Sequence, residues 1–209
     1  MNKRILFASY KTFLSILIFV AVATQIASIV KHSVFYPANF FSFFTIESNL
    51  FIAVIFALSA CGYWRKRPVK HITALRGAAA LYMVTTGLVY VTLLTGLQES
   101  LNTNVPWVNF VLHYFIPVVA LIDWLVDRPA SANLSYKVVF AWLAFPIAWL
   151  AYSVVRGPLV GWYPYPFLDP NTGGGSLEVI IVCAGISILM GGMGALLVWL
   201  GTVRLSPGK

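Results

Sequence analysis

Thr45, Ser48 and Asn49 stand at i, i+3 and i+4 in Phe44-Thr45-Ile46-Glu47-Ser48-Asn49-Leu50, a stretch that otherwise reads as a membrane-spanning helix. Those spacings put two hydroxyls and an amide on one helical face. Glu47 is turned about 200° from Thr45, at roughly 100° per residue. His113 sits in another apolar stretch, with Asn109 four residues before it and Pro117 four residues after. Pro117 brings no N–H to the carbonyl of His113, so that carbonyl needs another partner and the helix is expected to kink. A histidine beside a backbone acceptor and an amide has what an oriented general base requires. A hydroxyl at matching depth would complete a nucleophile and base pair, with Ser48 or Asn49 able to bond a developing oxyanion. The same groups have plainer uses. A threonine in a span ordinarily bonds its own backbone, and a histidine can serve packing alone.

The elements that must position these groups are membrane helices. Of 209 residues, 60% are hydrophobic and 10% charged, against about 25% charged in soluble domains. The mean hydropathy is +0.85. Six stretches are long enough to cross a hydrocarbon layer of about 30 Å. They lie near Tyr10–Ile29, Phe40–Tyr63, Leu75–Leu97, Pro106–Val126, Tyr136–Val155 and Leu177–Val203. The expected fold is an all-α bundle of six transmembrane helices forming one domain over 1–209. Short connections favour antiparallel neighbours.

Twelve of the 14 basic residues fall on one side of such a bundle, leaving Lys31 and Arg156 on the other. The positive-inside rule then places both termini in the cytoplasm. Lys11 counts among these flanking charges. It also interrupts the reading of the N-terminus as a cleaved signal peptide. The net charge of +8 is mostly this topogenic bias, and no motif supports nucleic-acid binding. In this orientation Thr45 lies about one turn below the outer interface, with His113 within roughly 5 Å of that depth.

Other polar groups have ordinary expectations. Asp123 and Asp127 fall at the depth of Arg76, which predicts a structural ion pair. Glu178 opens the sixth span and complements its dipole. Glu47 is either structural or a proton-binding group. Cys61 and Cys183 lie at opposite depths, too far apart for a disulfide. No metal-ligand spacing, dinucleotide fingerprint or phosphate loop is present, so no cofactor is expected. Tyr82, Thr86 and Tyr90 form a polar-edged stripe that should face the interior. Gly185, Gly191, Gly192, Gly194 and Gly201 predict a close-packing face, through which oligomers could also form. From Arg156 to Ser176 the chain is rich in proline and aromatics, and Pro158, Pro164, Pro166 and Pro170 argue against a continuous helix. This loop is expected to cap the bundle at the interface. Alternatively it is a lid over a site, with Arg156 available to a carboxylate or phosphate.

Three segments carry a family resemblance: Phe43-Phe44-Thr45-Ile46-Glu47-Ser48-Asn49-Leu50, Leu112-His113-Tyr114-Phe115-Ile116-Pro117 and Gly161-Trp162-Tyr163-Pro164-Tyr165-Pro166-Phe167-Leu168-Asp169-Pro170. Over nearly the whole chain they resemble a bacterial family of six-span membrane proteins. That family is similar to the eukaryotic androgen-induced proteins, intramembrane threonine hydrolases that act on fatty acid esters of hydroxy fatty acids. The resemblance implies a threonine nucleophile at Thr45 and a histidine base at His113. It also implies a lipid-like ester as substrate, in a bacterial inner membrane. Ser48, Asn49, Asn109, Tyr90 and Arg156 are then the candidate oxyanion and substrate contacts. Glu47-Ser48-Asn49 and the proline-rich loop depart from the eukaryotic pattern. The competing expectation is a non-catalytic lipid-binding scaffold or a small proton-coupled transporter that uses Glu47 and His113.

Overall fold

A computed structural model describes residues 2–67, 69, 71–97, 105–127, 134–172 and 174–202. The expected positions Lys70, Arg128, Gly173, Val203, Arg204 and Lys209 lie outside the described residues. Six helices are long and apolar enough to cross a membrane: α1 (Lys3–His32), α2 (Phe44–Arg65), α3 (Ile72–Leu94), α4 (Pro106–Val126), α5 (Val138–Val160) and α6 (Gly175–Gly201). No strand occurs among the described residues.

Two helix ends differ most from the sequence expectation. α1 starts at Lys3, because the Asn2 side chain caps it by accepting from the Arg4 amide at 3.1 Å. α5 runs on through Arg156 and Pro158 to Val160, so the loop begins at Gly161 rather than at Arg156. Pro158 costs the carbonyl of Val154 its helical partner, which is tolerable in a last turn close to the membrane surface. Gly161 ends the helix at φ 65°, with its amide bonded to the Gly157 carbonyl at 2.9 Å.

Two apolar clusters hold the bundle. Leu14 and Ile18 of α1, Ile52 and Phe56 of α2, and Leu112 and Ile116 of α4 pack in the first, joined by Met83 of α3. The second gathers Phe44, Leu81, Tyr82, Trp124, Trp142, Met190 and Val198, with Tyr165 and Leu168 of the loop. Helix α3 approaches α5 closely at Gly77, where an added Cβ would stand 2.2 Å from the Trp142 indole. Helices α5 and α6 are the outermost. Phe140, Leu159 and Ile188 are each more than 75% exposed, as side chains turned to hydrocarbon would be. The glycine run of α6 divides accordingly. Gly194 meets Val139 and Leu81, and Gly201 meets Trp124, whereas Gly185, Gly191 and Gly192 face open space.

At the end of the bundle where the chain begins lies a buried charge cluster. Arg76 Nη2 bonds Asp123 Oδ2 at 2.8 Å, and its Nη1 donates to the Asp127 carbonyl at 2.6 Å. Lys11, 0% exposed, contacts Asp123 and lies 3.0 Å from Asp127 Oδ2. The phenols of Tyr10 and Tyr63 donate to Asp123 and Asp127 respectively. The expected pair is thus a balanced group of two cations and two carboxylates. Lys11 is one of its members and not a flanking surface charge, because a lone buried aspartate would be left without a counterion.

Candidate functional site

A cavity of about 470 Å³ opens at the opposite end of the bundle. Its walls come from α1 (Gln25, Ile29), the connection to α2, the first turn of α2 (Thr45, Ile46), α4 (Asn109, Leu112, His113) and the loop (Trp162, Tyr165).

Thr45 is held there by the helix start itself. First-turn amides have no partner within their helix, and the cap residue Phe43 supplies none from its side chain. The phenol of Tyr165 takes that place, accepting from the Thr45 amide at 3.2 Å and lying 3.2 Å from Thr45 Oγ1. Burial pushes the Tyr165 phenol up to about 12, so it is neutral near pH 7 and carries a proton to donate. With that proton on Thr45 Oγ1, the threonine's own hydrogen is left for the cavity.

His113 is placed by a distortion of α4. Residues Val111–Phe115 form a π-helical turn, and the Ile116 amide reaches back five residues to the Val111 carbonyl. The cause is Pro117, which cannot donate to the His113 carbonyl; a wider turn absorbs the break. A second π turn, Tyr90–Leu94, ends α3 beside it. The fully buried Tyr90 ring stacks on His113 with centroids 4.0 Å apart. His113 Nδ1 lies 3.2 Å from the Asn109 carbonyl. A carbonyl only accepts, so Nδ1 carries the proton and Nε2 of the neutral ring keeps its lone pair. The Asn109 amide donates to the Tyr90 hydroxyl at 2.8 Å, while its Oδ1 is buried without a partner.

Thr45, His113 and Asn109 therefore share one cavity, with Tyr90 behind the histidine. No hydrogen bond joins Thr45 to His113 among the described residues; the direct partner of Thr45 is Tyr165. Asn49 spends its amide on the carbonyls of Thr45 and Leu112, at 2.9 and 3.2 Å, and so ties α2 to α4. Ser48 is fully buried, its hydroxyl without a partner, and it does not line the cavity. Glu47 also lies off the cavity, with one buried oxygen unpaired. Arg156 stands behind the rim, where it donates to Asn39 Oδ1 at 2.6 Å and lies over the Trp162 ring. Of the interior stripe, Tyr82 bonds the Trp142 carbonyl at 2.7 Å, and Thr86 is buried with its hydroxyl unpaired.

A second, smaller and mostly apolar crevice of about 110 Å³ lies between α3, α5 and α6. Thr45, Leu94 and Tyr165 line both spaces. Tyr165 is the site residue that sequence reasoning missed. It reads as one of several interfacial aromatics, and only the prolines on either side, Pro164 and Pro166, hint at a fixed conformation. No protein-family model, curated protein or solved structure matches this chain.

Proposed function

We propose that this chain is a multi-pass protein of the bacterial inner membrane that hydrolyses a lipid-like carboxylic ester. Both termini face the cytoplasm, and the cavity opens toward the outer surface, as the basic flanks favour. Thr45 Oγ1 attacks the ester carbonyl carbon while its proton passes to His113 Nε2, directly or through one water. The carbon–oxygen bond to the alcohol breaks, and the alcohol leaves with the proton from His113. Water, deprotonated by the same nitrogen, then cleaves the acyl-threonine and restores both side chains.

One observation carries this reading: a buried hydroxyl and an imidazole with a free Nε2 lone pair stand on the wall of one cavity. The family resemblance of the segments around Thr45 and His113 points the same way. The test is fluorophosphonate labelling and ester turnover of the purified protein and of Thr45→Val and His113→Gln. Each substitution should lower the rate by about 100-fold or more. Undiminished labelling of both variants overturns the assignment.

A second reading, a proton-coupled carrier, is favoured by the unpaired buried oxygen of Glu47. Glu47→Gln separates the two. A carrier loses uptake with that change, whereas the hydrolase keeps its labelling. Reporter fusions at each terminus test the orientation.

A further inference from the structure

A base that takes a proton inside a bundle becomes a buried cation, and something must stabilise it. This step rests on the hydrolase reading above. His113 is 5% exposed, so the imidazolium formed when Thr45 gives up its proton has little water around it. Serine–histidine–aspartate sites meet that cost with a buried carboxylate on Nδ1. Here Nδ1 is committed to the Asn109 carbonyl at 3.2 Å. The cavity wall offers Gln25 of α1, Tyr36 and Asn39 of the connection to α2, Thr45 of α2 and Tyr165 of the loop. No Asp, Glu, Lys or Arg is among the described residues that line it. Glu47 lies off the cavity, and Glu99 lies outside the described residues.

The group that does stand against the imidazole is the face of Tyr90. The two rings are 4.0 Å apart between centroids, with 30° between their planes. An aromatic face carries negative potential and attracts a cation within about 6 Å, more strongly where water is excluded. Water is excluded at this contact, because Tyr90 is 0% exposed. Tyr90 lines neither the cavity nor the crevice, so it is not the substrate contact expected from the sequence. Its ring is well anchored. The hydroxyl accepts from the Asn109 amide at 2.8 Å, and the Tyr90 carbonyl accepts from the Thr95 hydroxyl at 3.1 Å. The Tyr114 ring packs on it at 79°, with centroids 5.4 Å apart. Asn109 thus holds both partners, the imidazole by its carbonyl and the phenol by its side-chain amide.

We infer that Tyr90 is the third member of the Thr45 and His113 pair, a positioning residue whose ring face stabilises the imidazolium. The work of the aspartate is divided in two. The Asn109 carbonyl fixes the tautomer, and the Tyr90 ring supports the charge. That charge appears when the Thr45 Oγ1 proton reaches Nε2. It is discharged when the same proton leaves with the alcohol.

The experiment grades the π density at position 90 in the purified full-length protein. Tyr90→Phe keeps the ring face. Pentafluorophenylalanine, introduced at position 90 by nonsense suppression, keeps a six-membered ring but withdraws electron density from its face. His113 is titrated by NMR of labelled histidine in a His32→Gln, His71→Asn background. Fluorophosphonate labelling rates are measured at pH values above the midpoints. Tyr90→Phe should titrate near the wild type. The fluorinated protein should titrate at least about half a unit lower than Tyr90→Phe and label about threefold more slowly or worse. If the fluorinated ring does not fold, Tyr90→Leu removes the face and should give the same fall. Equal midpoints with and without the π face overturn the inference. A shifted midpoint with an unchanged labelling rate also overturns it, since the charge then has no part in the reaction. Glu99→Gln should leave the midpoint in place, and a fall as large as that of the fluorinated ring would overturn the assignment to Tyr90. Absence of labelling in every form, wild type included, removes the hydrolase reading, while the titration still decides whether Tyr90 stabilises the imidazolium.

Discussion

The hydroxyl of Tyr165 lies 3.2 Å from both the amide nitrogen and the Oγ1 of Thr45, joining the loop between α5 and α6 to the first turn of α2. One phenol therefore ends an unsatisfied helix start and orients the hydroxyl proposed as nucleophile. Removing it separates these effects from bulk packing, since phenylalanine keeps the ring. Tyr165→Phe should leave the Thr45 amide unpaired at a cost of about 1–3 kcal/mol. Fluorophosphonate labelling should slow by about tenfold or more as the hydroxyl loses its orientation. Thermal melting in detergent and labelling rates check the two parts. Labelling at the wild-type rate would show that Tyr165 only seals the bundle.

The same phenol predicts a pH window. Its folded value of about 12 lies above the ordinary 10.0, because burial disfavours the phenolate. The folded protein therefore holds this proton more tightly than the unfolded chain. Its contribution to stability is complete below about pH 10 and is lost as the pH rises toward about 12. Melting temperatures taken across that interval should fall in the wild type and fall less steeply in Tyr165→Phe.

The charge cluster makes Lys11 indispensable to stability. Lys11→Met leaves two buried carboxylates facing Arg76 alone and should cost about 3–5 kcal/mol. Adding Asp127→Asn rebalances the charges and should recover part of that loss. A Lys11→Met protein that melts like the wild type would refute the balanced-cluster reading.

Pro117→Ala tests the π turn at His113. The alanine amide can bond the His113 carbonyl, allowing a regular helix and a more stable α4. Regularising the turn rotates the imidazole away from the cavity. Melting temperature should rise while labelling falls by about tenfold or more. An unchanged labelling rate would mean that the turn does not position the ring.

Two glycines provide a matched contrast. A Cβ at Gly87 would stand 2.9 Å from the Pro117 ring and 3.4 Å from the His113 carbonyl. Gly87→Ala should push α3 off the π turn, at a cost of about 1–3 kcal/mol. Gly185 has nothing within 4 Å, so Gly185→Ala should be neutral or stabilise α6 by about 0.5–1 kcal/mol. Strong destabilisation by Gly185→Ala would instead reveal a partner on that face, and crosslinking in membranes would identify a second copy.

The six helices were legible in the chain because a bilayer demands about 20 apolar residues per crossing, and that demand is met locally. The common neighbourhood of Thr45 and His113 was legible for a related reason: depth follows from residue count along a helix of known rise. Pro117 announced a distortion, though not its form. The partners were a different matter. Tyr165 meets Thr45 across 120 residues, and Lys11 meets Asp123 across 112. Such meetings depend on how each helix is rotated about its axis, and a π turn shifts that rotation by about one residue, near 100°. The wheel placed Ser48 and Asn49 beside Thr45 on one face. Packing then gave the Asn49 amide to two carbonyls and left Ser48 off the cavity. Local hydropathy and rise thus determined what spans and at what depth. Tertiary packing alone decided which polar atoms were already satisfied, and so which remain to meet a ligand.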